Sequence, residues 1–186
     1  MKRFKIFIWI IVAVFVLGFF ISQYNRLVSL DQKVKSSWAQ VENVYQRRND
    51  LIPNLVEVVK GYAKHEKELF IQVTEARTKW QNARSVQEKE VAAGEIEKVI
   101  GRLLLIVENY PNLKASENFL SLQDELAGTE NRIAVERRRY NLAVEEYNRI
   151  AKSFPTFIFV RLFGFDREKV YFQATEGSSK PPEIKF

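Results

Sequence analysis

Sixteen consecutive residues without a charged or strongly polar side chain, Ile6–Ile21 (IFIWIIVAVFVLGFFI), constrain this chain more than any other stretch. As a helix they span about 24 Å, against a hydrocarbon core of roughly 30 Å. Phe4 and Tyr24 lengthen the run as interfacial aromatics, and Lys5 can snorkel. The predicted anchor residues are therefore Phe4, Ile6, Trp9, Phe15, Phe20, Ile21 and Tyr24. A cleaved signal peptide would need small residues at the end of the apolar run, where Phe19, Phe20 and Ile21 stand instead. An uncleaved, single-pass signal anchor is the expectation. Lys2, Arg3 and Lys5 before the run are matched by Arg26, Lys33 and Lys35 after it. The upstream cations crowd the membrane edge, and a long following domain translocates largely regardless of its charge. The expected topology is an N-terminus in the cytoplasm and the bulk outside the plasma (inner) membrane.

The remainder of the 186 residues suits one globular domain. Seven Gly and five Pro are few for a loop-rich β domain, and the absence of Cys excludes disulfides and thiolate metal sites. The net charge of +6 invites a nucleic-acid reading. Setting aside Lys2, Arg3 and Lys5 leaves 26 of 29 basic residues against 23 acidic ones, a balance of +3. That is poor material for phosphate-backbone binding, and no nucleic-acid partner is expected.

After the anchor the apolar residues recur at helical spacing. Leu27, Leu30, Val34, Trp38, Val41 and Tyr45 form one stripe. A turn is predicted at RRNDLIP, with Asn49 or Asp50 as cap and Pro53 in a first helical turn. Leu55, Val58, Tyr62, Leu69, Val73, Ala76 and Trp80 mark a second, long helix. The capping-box pattern SVQE at Ser85–Glu88 opens a third, carrying Ile96, Val99, Leu103, Ile106 and Tyr110 and ended by Pro111. The fourth runs from about Lys114 to Ser153, with Phe119, Leu122, Leu126, Ile133, Tyr140, Val144 and Tyr147. Gly128 is a soft spot within it. The expected fold is all-α: a transmembrane helix, then an up-and-down antiparallel four-helix bundle with a short aromatic C-terminal segment. The division is 1–23 for the cytoplasmic stub and anchor, 24–165 for the bundle with its aromatic segment 154–165, and 166–186 for an extended tail.

Three ordered segments, QRRNDLIPNLVEVVKGYAKHEKE (Gln46–Glu68), ENYPNLKASENFLSLQDELAGTENRIAVERRRYNLAVEEYN (Glu108–Asn148) and SFPTFIFVRLFGF (Ser153–Phe165), resemble the LemA family. The similarity runs from roughly Tyr24 to the final PEIKF. It implies a membrane-anchored four-helix bundle, bacterial in most cases. It brings no established biochemical activity and no catalytic residues.

The residues themselves point away from an enzyme. His65 is the single histidine, and Leu69 stands where a helical zinc-protease motif needs a second. Tyr62 occupies the Glu position of a di-iron Glu-x-x-His motif, so His65 reads as structural and no metal or cofactor is expected. No nucleophile–base pair, P-loop or glycine-rich nucleotide fingerprint appears. In ERRRYN (Glu136–Asn141), Arg139 has Glu136 three residues back, whereas Arg137 and Arg138 lack an acidic residue at helical spacing. Those two are left to interhelical pairing, solvent or an anionic partner. Arg47 and Arg48 read as cations at a helix C-terminus. YNRL (Tyr24–Leu27) recurs as YNRI (Tyr147–Ile150), which chance and similar packing demands explain better than a repeat.

FPTFIFVRLFGF (Phe154–Phe165) is too short to span a membrane and contains Arg161. In an up-and-down bundle it starts where the anchor emerges. Phe157, Phe159, Arg161, Phe163 and Phe165 are thus candidate membrane-interface residues, with Arg161 reaching lipid phosphates. The competing role for these rings is plugging the bundle's end, and the two are compatible. Functionally the chain reads as a non-enzymatic, membrane-tethered interaction module or scaffold with an unidentified protein partner. The alternative is a lipid-interacting protein that senses or remodels the bilayer through this segment, with anionic lipid as partner. An enzyme using unconventional residues would instead require a deep polar pocket among the helices.

Overall fold

The computed structural model describes residues 2–63 and 66–173, and every regular element among them is helical. These are α1 (Lys2–Tyr62), α2 (Lys67–Asn82), α3 (Val86–Val107), α4 (Pro111–Lys114), α5 (Glu117–Lys152) and α6 (Thr156–Phe163). His65 and the terminal PEIKF lie outside the described residues. The chain divides into two compact units, one of 1–39 with 139–171 and one of 40–138 with the segment from Phe172 onward.

The main correction to the sequence reading lies in α1. No turn interrupts RRNDLIP; the helix passes through it with Pro53 inside, and neither Asn49 nor Asp50 caps anything. The cause is an apolar stripe that never lapses. Leu27, Val34, Val41, Tyr45, Ile52, Leu55 and Val59 are all buried, and Arg48 and Asn49 occupy buried positions between them. A proline inside a helix costs about 3 kcal/mol, and an uninterrupted buried face on both sides of Pro53 offsets it. α1 instead continues to Tyr62, and the second helix begins at Lys67, about sixteen residues later than Leu51. Tyr62, a predicted core residue, is 48% exposed at the end of α1. Trp38, another, is half-buried, its ring 5.2 Å from that of Tyr140.

Within the larger unit, α2 and α3 form a hairpin across Ala83–Ser85. Ser85 Oγ accepts from the Glu88 N–H at 3.1 Å, and Glu88 Oε2 accepts from the N–H groups of Ser85 and Arg84. The predicted capping box is thus present and satisfies orphan donors of the first turn. These bonds to the Arg84 and Ser85 N–H groups hold the Glu88 carboxyl below the usual range. The core of this unit joins Tyr45 and Trp80, with rings 4.6 Å apart, to Leu55, Leu103, Leu113, Phe119 and Ile133. Arg47 and Arg48 are not helix-terminal cations. Arg47 pairs with Glu125 at 2.9 Å, whereas Arg48 is buried and reaches Glu130 at 2.9 Å and Glu97 at 3.5 Å. The third helix ends at Val107, ahead of Pro111, which opens α4 at its first position.

Gly128 lies within α5, exposed, and a Cβ built on it meets nothing within 4 Å. Gly128→Ala is therefore expected to stabilise the protein by about 0.5–1 kcal/mol, chiefly by narrowing the unfolded ensemble. Chemical denaturation in detergent micelles measures the gain.

Candidate functional site

The smaller unit contains the exposed apolar end of α1, the C-terminal half of α5, α6 and an extended strap, 166–171. Every residue from Arg3 to Ser22 is exposed, and this stretch makes α1 the one helix among the described residues long and apolar enough to cross a membrane. All seven predicted anchor residues sit on the outside of it. Length, composition and exposure support membrane association.

α6 packs against the far end of that stretch. A cis Phe154–Pro155 bond precedes it, and Gly164 closes it at φ 73°, a left-handed conformation that strains residues bearing a Cβ. Gly164 and Phe165 both donate their N–H groups to the Val160 carbonyl. The helix has two apolar faces. Phe159, 5% exposed, meets Phe19 and Phe20 edge-on at 5.9 and 5.0 Å and stacks on Phe163 at 5.8 Å. Phe163 meets Tyr24 edge-on at 5.1 Å, and Phe165 lies 6.0 Å from the same ring. The opposite face turns Phe157, Ile158, Arg161 and Leu162 to the outside, with Phe154 just ahead of them. The five candidate interface residues therefore separate: Phe159, Phe163 and Phe165 pack inward, while Phe157 and Arg161 point out.

The strap runs antiparallel to α5 and is held by side chains whose sequence pattern marked a core stripe and a short repeat, not a strap site. Tyr147 Oη donates to the Asp166 carbonyl at 2.7 Å, and Tyr140 Oη to the Val170 carbonyl at 2.8 Å. Asn148 engages both backbone groups of Lys169, donating to its carbonyl at 2.9 Å and accepting from its N–H at 2.7 Å. Lys169 Nζ then bridges Asp31 and Asp166 at 2.7 and 2.6 Å. The available signal was a buried "YN" pair on a helix: an amide and a phenol at core positions need partners. The YNRL resemblance misleads here, because Tyr24 and Asn25 are exposed whereas Tyr147 and Asn148 are buried.

In the larger unit, Phe172 is buried and stacks on Tyr45 at 6.2 Å. Arg137 lies 4.3 Å over the Phe172 ring and donates to the Gln173 carbonyl at 2.9 Å. Burial pushes the Glu90 carboxyl up, although the Gln173 N–H bond and Arg137 oppose it. Of the two predicted anionic-partner residues, Arg137 is thus engaged by the chain's own C-terminal segment, and Arg138 is exposed.

Burial tends to raise the Asp31 carboxyl, but hydrogen bonds and charge from Lys169 and Lys35 outweigh it and hold the group below its usual value. For Lys169 burial opposes protonation, and bonds to Asp166 and Asp31 more than restore it, raising the ammonium. A lowered folded-state carboxyl contributes stability that is present above its unfolded value, about 3.9, and lost as pH falls through the folded value. The strap is therefore expected to loosen below about pH 4. In acid titrations followed by thermal unfolding, Asp31→Asn should flatten the steep limb in that window.

The polar groups gathered here bind backbone and one another. Among the described residues no three His, Asp or Glu side chains cluster as a metal site. Residues 37–186, well over half of the chain, match the sequence model of the LemA family. The chain belongs to the LemA family. Relatives of this LemA-family chain include Magnetosome protein MamQ 2 of Paramagnetospirillum magneticum, 26% identical over 185 residues, covering 86% of this chain and 68% of the relative. Magnetosome protein MamQ of Magnetospirillum gryphiswaldense is 24% identical over 183 residues, covering 84% and 67%. Protein LemA of Metamycoplasma hominis is 24% identical over 147 residues, covering 76% and 67%.

Proposed function

We propose that this protein is a non-enzymatic, membrane-tethered helical interaction module or scaffold on the outer face of the plasma membrane. One observation carries the reading: α1 is a single helix whose first part is apolar and exposed and whose later part bears a buried stripe. The same element therefore serves as anchor and as core helix. Residues 1–23 form the stub and anchor, 24–165 the helical domain with aromatic segment 154–165, and 166–186 the C-terminal segment, of which 174–186 lie outside the described residues. The helical domain is an up-and-down four-helix bundle of α1, α2, α3 and α5. Ion pairs from α1 to α3 and α5 and the hairpin of α2 on α3 support that arrangement. Val91 and Leu105 on α3, 66% and 69% exposed, are the apolar positions offered to a protein partner.

Two measurements test this. Protease added to the outside of intact cells should remove the domain and leave a fragment ending near Tyr24, and digestion only from the cytoplasmic side would reverse the topology. A photocrosslinker at Val91 or Leu105 in the native membrane should trap one recurring protein partner that a crosslinker at Thr74 does not trap. Equal trapping from all three positions would argue against a dedicated surface.

A further inference from the structure

We infer that α6 is a second, peripheral membrane contact, and that the groove beside it receives the headgroup of an anionic phospholipid. The inference rests on reading α1 as a membrane span and adds to it a docking surface and its ligand.

Positions 156, 159, 160 and 163 face inward, and 157, 158, 161 and 162 face outward, as the 3.6-residue period requires. Through Phe159 and Phe163 the inward face is seated on Phe19, Phe20 and Tyr24, where the apolar run of α1 ends. Phe19, Phe20 and Tyr24 themselves remain 38–44% exposed, so the outward face of α6 continues the surface that α1 presents to lipid. Phe154 is 81% exposed and Leu162 63%, with Phe157 and Ile158 between them at about half. A contiguous apolar surface of this kind on a short helix marks an interaction site rather than ordinary surface scatter. Its continuity with the span names the occupant as the bilayer.

The groove of about 1040 Å³ along α6 supplies the polar half of the contact. It is lined by Lys152, Arg161, Arg167 and Glu168 as well as apolar residues of α6. Lys152 pairs with Glu168 at 2.7 Å, whereas Arg161 and Arg167 have no ion-pair partner among the described residues. Three cations against one anion leave the groove at +2. A guanidinium on the same face as large apolar side chains fits the boundary between acyl chains and phosphates, where its stem is buried and its head stays wet. Two such guanidiniums select anionic over zwitterionic headgroups, each contributing roughly a fivefold preference near an anionic surface.

The absence of native cysteine makes single-site labelling clean. Full-length protein carrying Leu162→Cys or Phe154→Cys, labelled with an environment-sensitive fluorophore, is reconstituted into vesicles with nitroxide-bearing lipid. Val12→Cys in the span and Val135→Cys on α5 are the positive and negative references. In vesicles with about one-third phosphatidylglycerol, labels at 162 and 154 should be quenched by shallow nitroxides, well above the label at 135. In the label-bearing protein, Arg161→Glu with Arg167→Glu should lower the docked-to-undocked ratio by at least about 25-fold in those vesicles. In pure phosphatidylcholine it should change the ratio little. Quenching at 162 and 154 no greater than at 135, with 12 fully quenched, overturns the docking of α6 and leaves the anchor standing. Quenching at 162 that ignores phosphatidylglycerol overturns the headgroup assignment. No quenching at 12 overturns the anchor reading and this inference with it.

Discussion

Trp80→Ala is expected to lower the unfolding free energy by about 3–5 kcal/mol, the cost of emptying a large, well-packed core site. Trp80 is 2% exposed, and its ring lies 4.6 Å from that of Tyr45 and 4.6 Å beneath the ammonium of Lys89. Lys89 also donates to the Trp80 carbonyl at 3.2 Å. The substitution therefore removes an aromatic pair and a cation–π contact along with the buried area. Chemical denaturation measures the loss, and the titration of Tyr45 locates it. Burial pushes the Tyr45 phenol up to about 12. Water entering the cavity of the variant should bring it back toward the usual 10, visible in the ultraviolet absorbance of the phenolate. Trp38→Ala, by contrast, should cost only about 1–2 kcal/mol, because that ring is half-buried and has less apolar area to lose. Equal losses at the two tryptophans would place the core elsewhere than on Tyr45 and Trp80.

Asn148→Ala should be the most damaging polar substitution, lowering stability by about 2–3 kcal/mol. The amide of Asn148 is 4% exposed and makes two hydrogen bonds to Lys169, one to each backbone group. Alanine leaves a backbone donor and a backbone acceptor unpaired in a half-buried site, which costs more than the bonds themselves contribute. The loss should be local. Amide exchange at Lys169 and Val170 should speed up by orders of magnitude while the α2–α3 hairpin stays protected. Tyr147→Phe removes a single bond, to Asp166, and should cost about 1 kcal/mol. A strap that exchanged as slowly in Asn148→Ala as in the parent protein would mean that the Tyr140 and Tyr147 hydroxyls and the Lys169–Asp31 pair hold it instead.

The strap shows why part of this protein was legible and part was not. Helical periodicity is a local property, and burial of one face makes it visible in any window of a dozen residues. Hence Phe119, Leu122, Leu126, Ile133, Tyr140, Val144 and Tyr147 were named as one stripe, and on α5 all are buried except the half-buried Leu122. The capping box at Ser85 was equally readable, because its two bonds join residues three apart. The apolar run Ile6–Ile21 needs no partner in the chain to declare itself. Where α1 ends was a different matter. RRND reads as a turn because four polar residues precede a proline, and the reading fails because Arg48 finds Glu97 and Glu130, 49 and 82 residues away. Once those carboxylates neutralise it, a charged residue can hold a core position and the helix has no reason to stop. The same holds for α6. Its composition announced an aromatic segment, but which rings pack inward and which face out depended on Phe19, Phe20 and Tyr24 lying beside it. By itself the sequence determined the helical class, the membrane-competent segment and the stripes that bury α3 and α5. Only the tertiary structure decided the end of α1, the two faces of α6 and the strap, because each is set by pairings between residues too distant in the chain for any local pattern to record.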